Sequence, residues 1–137
     1  LFRSVRDMVI KEIAKQPIVM SQAKVLLLGM AFKKDVNDLR HSPALKVAEL
    51  LAGEGINNID YIDPYIPQIK IRNERLSSIP KLSKDVLNSY DVVVITTDHS
   101  VFDFELVSQE SKVVIDTRNA LKHVERRENI VLLGDGK

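Results

Sequence analysis

The sequence predicts an α/β fold built on a doubly wound, mostly parallel sheet, and two observations lead to this prediction. Short, continuously apolar segments such as Lys24–Gly29 and Asp91–Thr96 recur along the chain, and such segments are typical of strands buried on both faces of a parallel sheet. Between them lie stretches in which apolar residues recur at helical spacing. Strands that alternate with helices give a parallel sheet covered by helices on both faces.

The first half of the chain predicts a helix, a strand, a second helix and a second strand. Apolar residues at helical spacing indicate the first helix: Val5, Met8, Val9 and Ile13. Ser42 offers a side-chain cap and Pro43 suits the first helical position, so the second helix is expected to begin there. The predicted ranges are 2–15 and 43 to about 53 for the helices, and 24–29 and 59–62 for the strands. This spacing predicts a parallel crossover unit.

The second half of the chain continues the alternation. The predicted elements are a short strand at Ile69–Ile71, a loop at Leu76–Pro80, helices at Ser83–Asn88 and Asp103–Ser108, strands at Asp91–Thr96, Lys112–Asp116 and Asn129–Gly134, and a tail at Gly136–Lys137. This arrangement is that of a Rossmann-like sheet with flanking helices, in which ligands bind outside the carboxyl ends of the strands. The polar segments that follow the strands should therefore share one edge of the sheet.

Composition narrows the class of protein. The 137 residues suit one domain, with 45% hydrophobic and 28% charged residues, and no apolar run approaches the roughly 20 residues that a membrane span needs. A net charge of +1 gives no overall field that would attract nucleic acid or an anionic membrane. The chain contains no cysteine, which excludes disulfides and a cysteine nucleophile and is compatible with a cytoplasmic location.

The connection from Met30 to Ser42, hereafter the charged loop, is the first candidate site. Its 13 residues exceed the roughly 2 to 6 that usually join a strand to a helix in α/β units. It has no glycine, so a bound phosphate would have to be held by cationic side chains such as Lys33 instead of a glycine-rich backbone turn. The alternative is a solvated loop in which Asp38 and Arg40 form a weak surface pair. Length and position favour a ligand site.

Two further segments should lie at the same edge of the sheet. Arg118 follows the strand that ends at Asp116, and its guanidinium could bind phosphate, ribose or base, or could form a salt bridge to Asp116 or to a helix end. His99 stands beside Asp98, which suggests either a base with an orienting carboxylate or a cap or turn. The cap or turn is favoured because no nucleophile accompanies the pair.

Other candidate ligand residues carry less weight. Asp63 and Pro64 end a strand, where an acid can hold a ribose hydroxyl, but the missing glycine motif favours a turn. His41 and His123 show no metal-ligand spacing with each other or with the third histidine, so no metal site is predicted.

The charged loop also carries a family resemblance. The segment from Gly29 to Pro43, GMAFKKDVNDLRHSP, resembles the hallmark loop of the C-terminal, UDP-binding domain of the UDP-glucose/GDP-mannose dehydrogenase family, and the similarity continues through Asp63-Pro64, the strand to Thr96, and 116–119. The resemblance implies a parent enzyme whose N-terminal domain binds NAD and whose central helical region supplies a catalytic cysteine and homodimer contacts. Such enzymes oxidise the C6 alcohol of a UDP-sugar to a carboxylate, for polysaccharide precursor synthesis.

The resemblance also implies roles for single residues. Phe32 and Lys33 match positions that contact the substrate, Arg118 matches an arginine directed at the uridine diphosphate end, and Arg40 matches an arginine that reaches toward NAD. His41 departs from the family pattern, which usually has glutamate there. The segment 97–103 is more similar to enzymes that oxidise UDP-N-acetyl-hexosamines, either UDP-GlcNAc or UDP-ManNAc, than to those that oxidise UDP-glucose.

On this resemblance, residues 1–20 are expected to be the end of the central dimerisation helix and a linker, and residues 21–137 the UDP-sugar-binding domain. The sequence, which opens at Leu1 and has neither the cysteine nor the NAD-binding glycine motif, is expected to be a fragment without catalytic activity of its own. Its partners would be the UDP-sugar and the other two domains. The alternative is a free-standing, non-catalytic α/β nucleotide-binding or interaction module.

Overall fold

A computed structural model describes residues 2–133. Within that range the α-helices are α1 (Phe2–Ala14), α2 (Pro43–Gly53), α3 (Lys84–Asn88) and α4 (Phe104–Glu110), and a short 3₁₀ helix covers Met20–Gln22. The strands are β1 (Lys24–Leu28), β2 (Asn58–Ile62), β3 (Gln68–Ile71), β4 (Glu74–Ser77), β5 (Val92–Ile95), β6 (Val114–Asp116) and β7 (Ile130–Leu132). Most of these lie within a residue or two of the sequence predictions, which is the usual uncertainty of an element's ends.

Five strands form a parallel sheet in the order β2-β1-β5-β6-β7. The chain starts in the sheet at β1, moves outward to β2, and then returns to the other side of β1 to form β5. The direction of winding therefore reverses between β1 and β5. In open α/β sheets this switch point opens a crevice at the carboxyl ends of the strands, and ligands bind there.

The sheet is covered on both faces, which confirms the doubly wound prediction. Along β1, Val25 and Leu27 pack into one apolar cluster with α1 and α2, whereas Leu26 and Leu28 pack into a second cluster with α3 and α4. All four side chains are completely buried. A strand alternates its side chains between the two faces of a sheet, so only an unbroken apolar run can satisfy both layers.

Helix α2 begins where its capping residues predict. The Ser42 hydroxyl accepts a hydrogen bond from the backbone amide of Leu45 at 3.1 Å, and Pro43 occupies the first helical turn. The chain leaves the helix through Gly55, whose φ of +92° is readily adopted by glycine alone. Helices α3 and α4 start in the same way, on side-chain caps from Ser83 and Asp103.

The region after β2 differs from the sequence prediction. We predicted a loop at Leu76–Pro80, but Leu76 and Ser77 belong to β4, which pairs antiparallel with β3. The two strands are joined by Arg72 and Asn73, both with positive φ, the backbone signature of a tight type I′ hairpin turn. The prediction was wrong because arginine is an unusual first residue for such a turn, and the strand ERLS lacks an alternating apolar pattern.

Both ends of the described chain pack on the sheet. In α1, Val5, Val9 and Ile13 are almost completely buried in the same apolar cluster as α2. At the other end β7 pairs with β6, while Gly134 and the predicted tail lie outside the described residues. The predicted division between 1–20 and 21–137 stays a prediction. Across residues 2–133, no helix is long and apolar enough to cross a membrane.

Candidate functional site

The end of β1 lies in close contact with the end of β5. Gly29 adopts a φ of +95°, and a Cβ atom built on it would stand 2.5 Å from the carbonyl oxygen of Thr97 and 2.6 Å from its amide nitrogen. Real Cβ atoms do not approach backbone atoms so closely, so this position requires glycine for both conformation and space. The two strand ends thus meet at the switch point, and the charged loop starts from there.

The carboxylate of Asp63 anchors the start of the charged loop. Its Oδ2 accepts hydrogen bonds from the amides of Met30 (2.7 Å) and Ala31 (2.9 Å), and its Oδ1 accepts one from the amide of Tyr65 (2.8 Å). The last bond closes a turn, as the sequence predicted. Because the side chain is completely buried, it has no free face for a ribose hydroxyl.

His99 pairs with Asp63, although Asp98 is its sequence neighbour. The imidazole is completely buried, and Nε2 lies 2.8 Å from the Asp63 Oδ2 atom. Nδ1 accepts a hydrogen bond of 2.8 Å from the backbone amide of Asp35. A ring nitrogen that accepts a bond carries no proton, so the proton lies on Nε2 and is donated to Asp63. No sequence signal connects Asp63 and His99, which are 36 residues apart.

Asp35 lies near the middle of the charged loop, with a φ of +61°. Its carboxylate accepts hydrogen bonds from the Ser100 amide (2.8 Å) and the Ser100 hydroxyl (2.6 Å). These bonds hold the pKa of the Asp35 carboxyl below its ordinary value, because they stabilise the charged form. Together with the bond from the Asp35 amide to His99, they tie this point of the loop to the segment that follows β5.

The Ser100→Ala substitution is expected to raise the pKa of Asp35 toward the ordinary value of 3.8, because the hydroxyl bond is the main cause of its depression. In the intact protein this bond stabilises the fold at pH values above the pKa that the Asp35 carboxyl has in the unfolded chain. The stabilisation is lost as the pH falls through the lower pKa of this carboxyl in the folded chain. A carboxyl-carbon NMR titration measures the change. The pKa of Asp38 serves as the control and should not move; an unchanged Asp35 would refute the assignment.

Arg40 is held within the charged loop by Asp38. Its Nε and Nη2 atoms donate to the two carboxylate oxygens at 3.1 and 3.2 Å, and its backbone amide donates to Oδ1 at 2.9 Å. The guanidinium holds the pKa of Asp38 below its ordinary value. With 85% of the Arg40 side chain exposed, the pair is of the weak surface kind. The neighbouring His41 is also exposed and adopts a positive φ.

Arg118 lies at the same edge of the sheet, as predicted. Its Nε donates to the carbonyl oxygen of Thr96 at 3.0 Å. The Thr96 hydroxyl lies within hydrogen-bonding distance of the carbonyl oxygens of Leu28 and Gly29, which share its single proton. The expected alternative of a salt bridge to Asp116 is not formed. That carboxylate is buried and accepts hydrogen bonds from the backbone amides of residues 118, 120 and 121, so it shapes the turn that carries Arg118.

The remaining site residues face solvent. Phe32 is 40% exposed, which is unusual for an aromatic side chain, and Lys33 is exposed and forms no salt bridge within residues 2–133. Beside Arg118, a cleft of about 130 Å³ opens between α1, α2 and the ends of β5 and β6; its lining includes Pro43, Thr96, Thr117 and Arg118. In the described part of the chain, no three His, Asp or Glu side chains could together hold a metal ion.

The model of the "UDP-glucose/GDP-mannose dehydrogenase family, UDP binding domain" matches residues 26–123. The chain belongs to this family. The match contains the whole charged loop, Asp63, His99 and Arg118, so these parts of the site lie within the range of the family's UDP-binding domain. The resemblance predicted from the sequence is confirmed.

Individual members of the UDP-glucose/GDP-mannose dehydrogenase family support the assignment. A UDP-N-acetyl-D-mannosamine dehydrogenase from Campylobacter jejuni is 36% identical over 110 residues, covering 79% of this chain. A protein of the same name from Methanococcus aeolicus is 30% identical and covers 97% of this chain. The solved structure of UDP-D-ManNAc dehydrogenase from Pyrococcus horikoshii superimposes with a TM-score of 0.74, at 26% identity over 98% of this chain. The chain spans only 26–31% of the length of these three proteins.

Proposed function

We propose that this chain is the C-terminal, substrate-binding domain of an NAD-dependent UDP-sugar 6-dehydrogenase. The observation that carries the proposal is the charged loop, which presents Phe32 and Lys33 to solvent at the switch point of the sheet and lies within the range matched by the family's UDP-binding domain. This edge is where open α/β sheets bind their ligands. The oxidation itself is assigned to the remaining domains of the parent enzyme.

Side-chain cations are proposed to hold the diphosphate. The charged loop has no glycine after Gly29, and the first amides of the loop, those of Met30 and Ala31, already donate to Asp63. They are therefore not free to form a backbone nest around a phosphate. Lys33 offers an ammonium group. Within residues 2–133, Nε is the one guanidinium nitrogen of Arg118 that forms a hydrogen bond, to the Thr96 carbonyl oxygen, so its two terminal nitrogens can bind a ligand.

The Lys33→Ala and Arg118→Ala variants are each expected to weaken the binding of UDP by about 10- to 100-fold, since a hydrogen bond to a charged group contributes about 1.5–3 kcal/mol. Binding is measured by NMR titration of the chain with UDP. We expect weak binding by the intact chain, because the complete cleft forms between domains.

Lys70→Ala provides the matched control, because this lysine is also exposed but lies on β3, in the hairpin. It should leave the UDP affinity unchanged. The proposal would be contradicted if UDP caused no chemical-shift changes near Lys33 or Arg118. It would also be contradicted if all three substitutions weakened UDP binding equally.

Arg40 is proposed to contact NAD across the cleft to the N-terminal domain. The exposure of Arg40 supports this role. To reach NAD, its guanidinium must either break its hydrogen bonds to Asp38 or move together with the Asp38 side chain. In the full-length enzyme, Arg40→Ala should raise the KM for NAD and leave the affinity for UDP unchanged. The homodimer, the division between 1–20 and 21–137 and the cytoplasmic location stay predictions that belong to this full-length enzyme.

The proposed substrate is a UDP-N-acetyl-hexosamine, destined for polysaccharide precursors. Several relatives are named UDP-N-acetyl-D-mannosamine dehydrogenases, which favours UDP-ManNAc over UDP-GlcNAc. The test is an assay of the full-length protein with NAD against UDP-ManNAc, UDP-GlcNAc and UDP-glucose. A preference for UDP-glucose would overturn the assignment of the sugar and leave the assignment of the domain intact.

The second candidate is a free-standing, non-catalytic nucleotide-binding or interaction module that uses the same edge of the sheet. The coding sequence upstream of Leu1 distinguishes the two candidates. A glycine-rich strand-turn-helix motif and a cysteine there would support the dehydrogenase, and a reading frame without them would favour the module. UDP binding alone does not separate the two.

A further inference from the structure

His99 is a buried polar side chain that uses both of its ring nitrogens. Its relative exposure is zero, so each nitrogen needs a partner within the protein. Nε2 donates to Asp63, and Nδ1 accepts the backbone amide of Asp35, both at 2.8 Å. The imidazole thus bridges two points of the chain that are 28 residues apart in sequence.

The bridge requires one particular form of the ring. The Asp35 carboxylate lies 3.8 Å from Nδ1, but that nitrogen is already engaged as an acceptor at shorter distance, so the contact with the carboxylate is not an ion pair. The ring orientation is also fixed by its neighbours: Tyr65 and Phe102 make edge-to-face contacts with the imidazole, at centroid distances of 4.8 and 5.6 Å.

The bridge completes a clamp around the part of the charged loop that carries Lys33. On one side, the Ala31 amide donates to Asp63 and the Ala31 carbonyl oxygen accepts from the Thr97 hydroxyl at 2.8 Å. On the other side, Asp35 is held through its amide by His99. The three residues 32–34 therefore span the gap between two fixed points of the backbone, Ala31 and Asp35.

We propose that His99 is a positioning residue for the UDP site: its hydrogen bond to the Asp35 amide holds the Lys33 segment in place at the edge of the sheet. This inference rests on the proposed function in one respect, that Lys33 binds the diphosphate. Ordering a free loop when a ligand binds costs conformational entropy, and a loop that is already held avoids that cost. His99 itself is buried and does not touch the ligand.

The first experiment tests the bridge without any ligand. An N–H···N hydrogen bond transmits a scalar coupling between the two nitrogens, so NMR of the uniformly ¹⁵N-labelled chain should show a coupling between the Asp35 amide and His99 Nδ1. The imidazole ¹⁵N shifts should identify a protonated Nε2 and an unprotonated Nδ1. A protonated Nδ1, or the absence of the coupling, would overturn the inference.

The second experiment separates positioning from stability with two substitutions. In His99→Asn the amide oxygen can take the place of Nδ1 and accept from Asp35, but the side chain is too short to reach Asp63. In His99→Gln the amide nitrogen can take the place of Nε2 and donate to Asp63, but the bond to Asp35 is lost. Each variant thus keeps one half of the bridge.

We expect UDP affinity to fall by about tenfold in His99→Gln, the size of effect of one lost buried hydrogen bond, and to fall much less in His99→Asn. A merely structural role predicts that the affinity of both variants follows their stability to urea. Equal weakening, or no weakening in His99→Gln, would overturn the proposal. If the unmodified chain does not bind UDP at all, the proposed function fails, whereas the coupling between Asp35 and His99 still decides whether the clamp exists.

Discussion

Replacement of Gly29 by alanine is expected to lower the free energy of unfolding by about 3–5 kcal/mol. The new Cβ would lie 2.5 and 2.6 Å from the backbone oxygen and nitrogen of Thr97. Relief of this overlap requires the ends of β1 and β5 to separate. The φ of +95° adds backbone strain for any residue with a side chain. Urea denaturation measures the loss.

Gly55→Ala is the matched control. Gly55 has nearly the same φ, +92°, but apart from Gly55 and its two chain neighbours, no atom of residues 2–133 lies within 4 Å of the position that its Cβ would take. This variant should lose only about 1 kcal/mol, from backbone strain alone. The difference between the two variants isolates the steric contribution at the switch point. Equal losses would show that β1 and β5 do not approach each other as described.

The second large effect is expected for Asp63→Ala, which should lower the free energy of unfolding by about 3–5 kcal/mol. The substitution leaves the amides of Met30, Ala31 and Tyr65 and the Nε2–H of His99 without their acceptor. The Asp63 side chain that accepts these hydrogen bonds is completely buried. Water therefore replaces the lost acceptor poorly. The loss should be accompanied by increased exchange of the Met30 and Ala31 amides, which hydrogen exchange detects.

Asp98→Ala provides the comparison for Asp63→Ala. Asp98 lies beside His99 in sequence, but its carboxylate forms no hydrogen bond or salt bridge within residues 2–133, and its removal should change the unfolding free energy by at most about 0.5 kcal/mol. A larger loss for Asp98 than for Asp63 would mean that the sequence neighbour, not the distant acid, is the partner of the imidazole.

Local signals were sufficient for most of the elements. The cap at Ser42, the proline at 43 and the apolar stripe of α2 act over a few residues, and all three appear in the structure as predicted. The hairpin of β3 and β4 was missed, because its turn residues Arg72 and Asn73 adopt positive φ without glycine. In addition, Ile69 of β3 packs into the same apolar cluster as α2, and the sequence pattern does not reveal that packing.

The position of the candidate site was predicted from the alternation of strands and helices, which implies a parallel sheet. The carboxyl ends of parallel strands share one edge, which placed the charged loop and Arg118 together before any contact was known. Two of the side-chain pairs that the sequence left as alternatives do not form. The Arg118 guanidinium donates to the Thr96 carbonyl oxygen and forms no salt bridge to Asp116, and the imidazole of His99 pairs with Asp63 and not with Asp98.

By itself, the sequence determined the fold class, the helix starts, the family and the loop that carries Lys33, because these depend on residues that are neighbours along the chain. Only the tertiary structure decided how that loop is held. Met30, Asp63 and His99 are each more than 30 residues from the next, and they meet because β2, β1 and β5 lie side by side in the sheet. Apolar periodicity specifies that a strand is buried, but side-chain pairing across strands depends on their order and register.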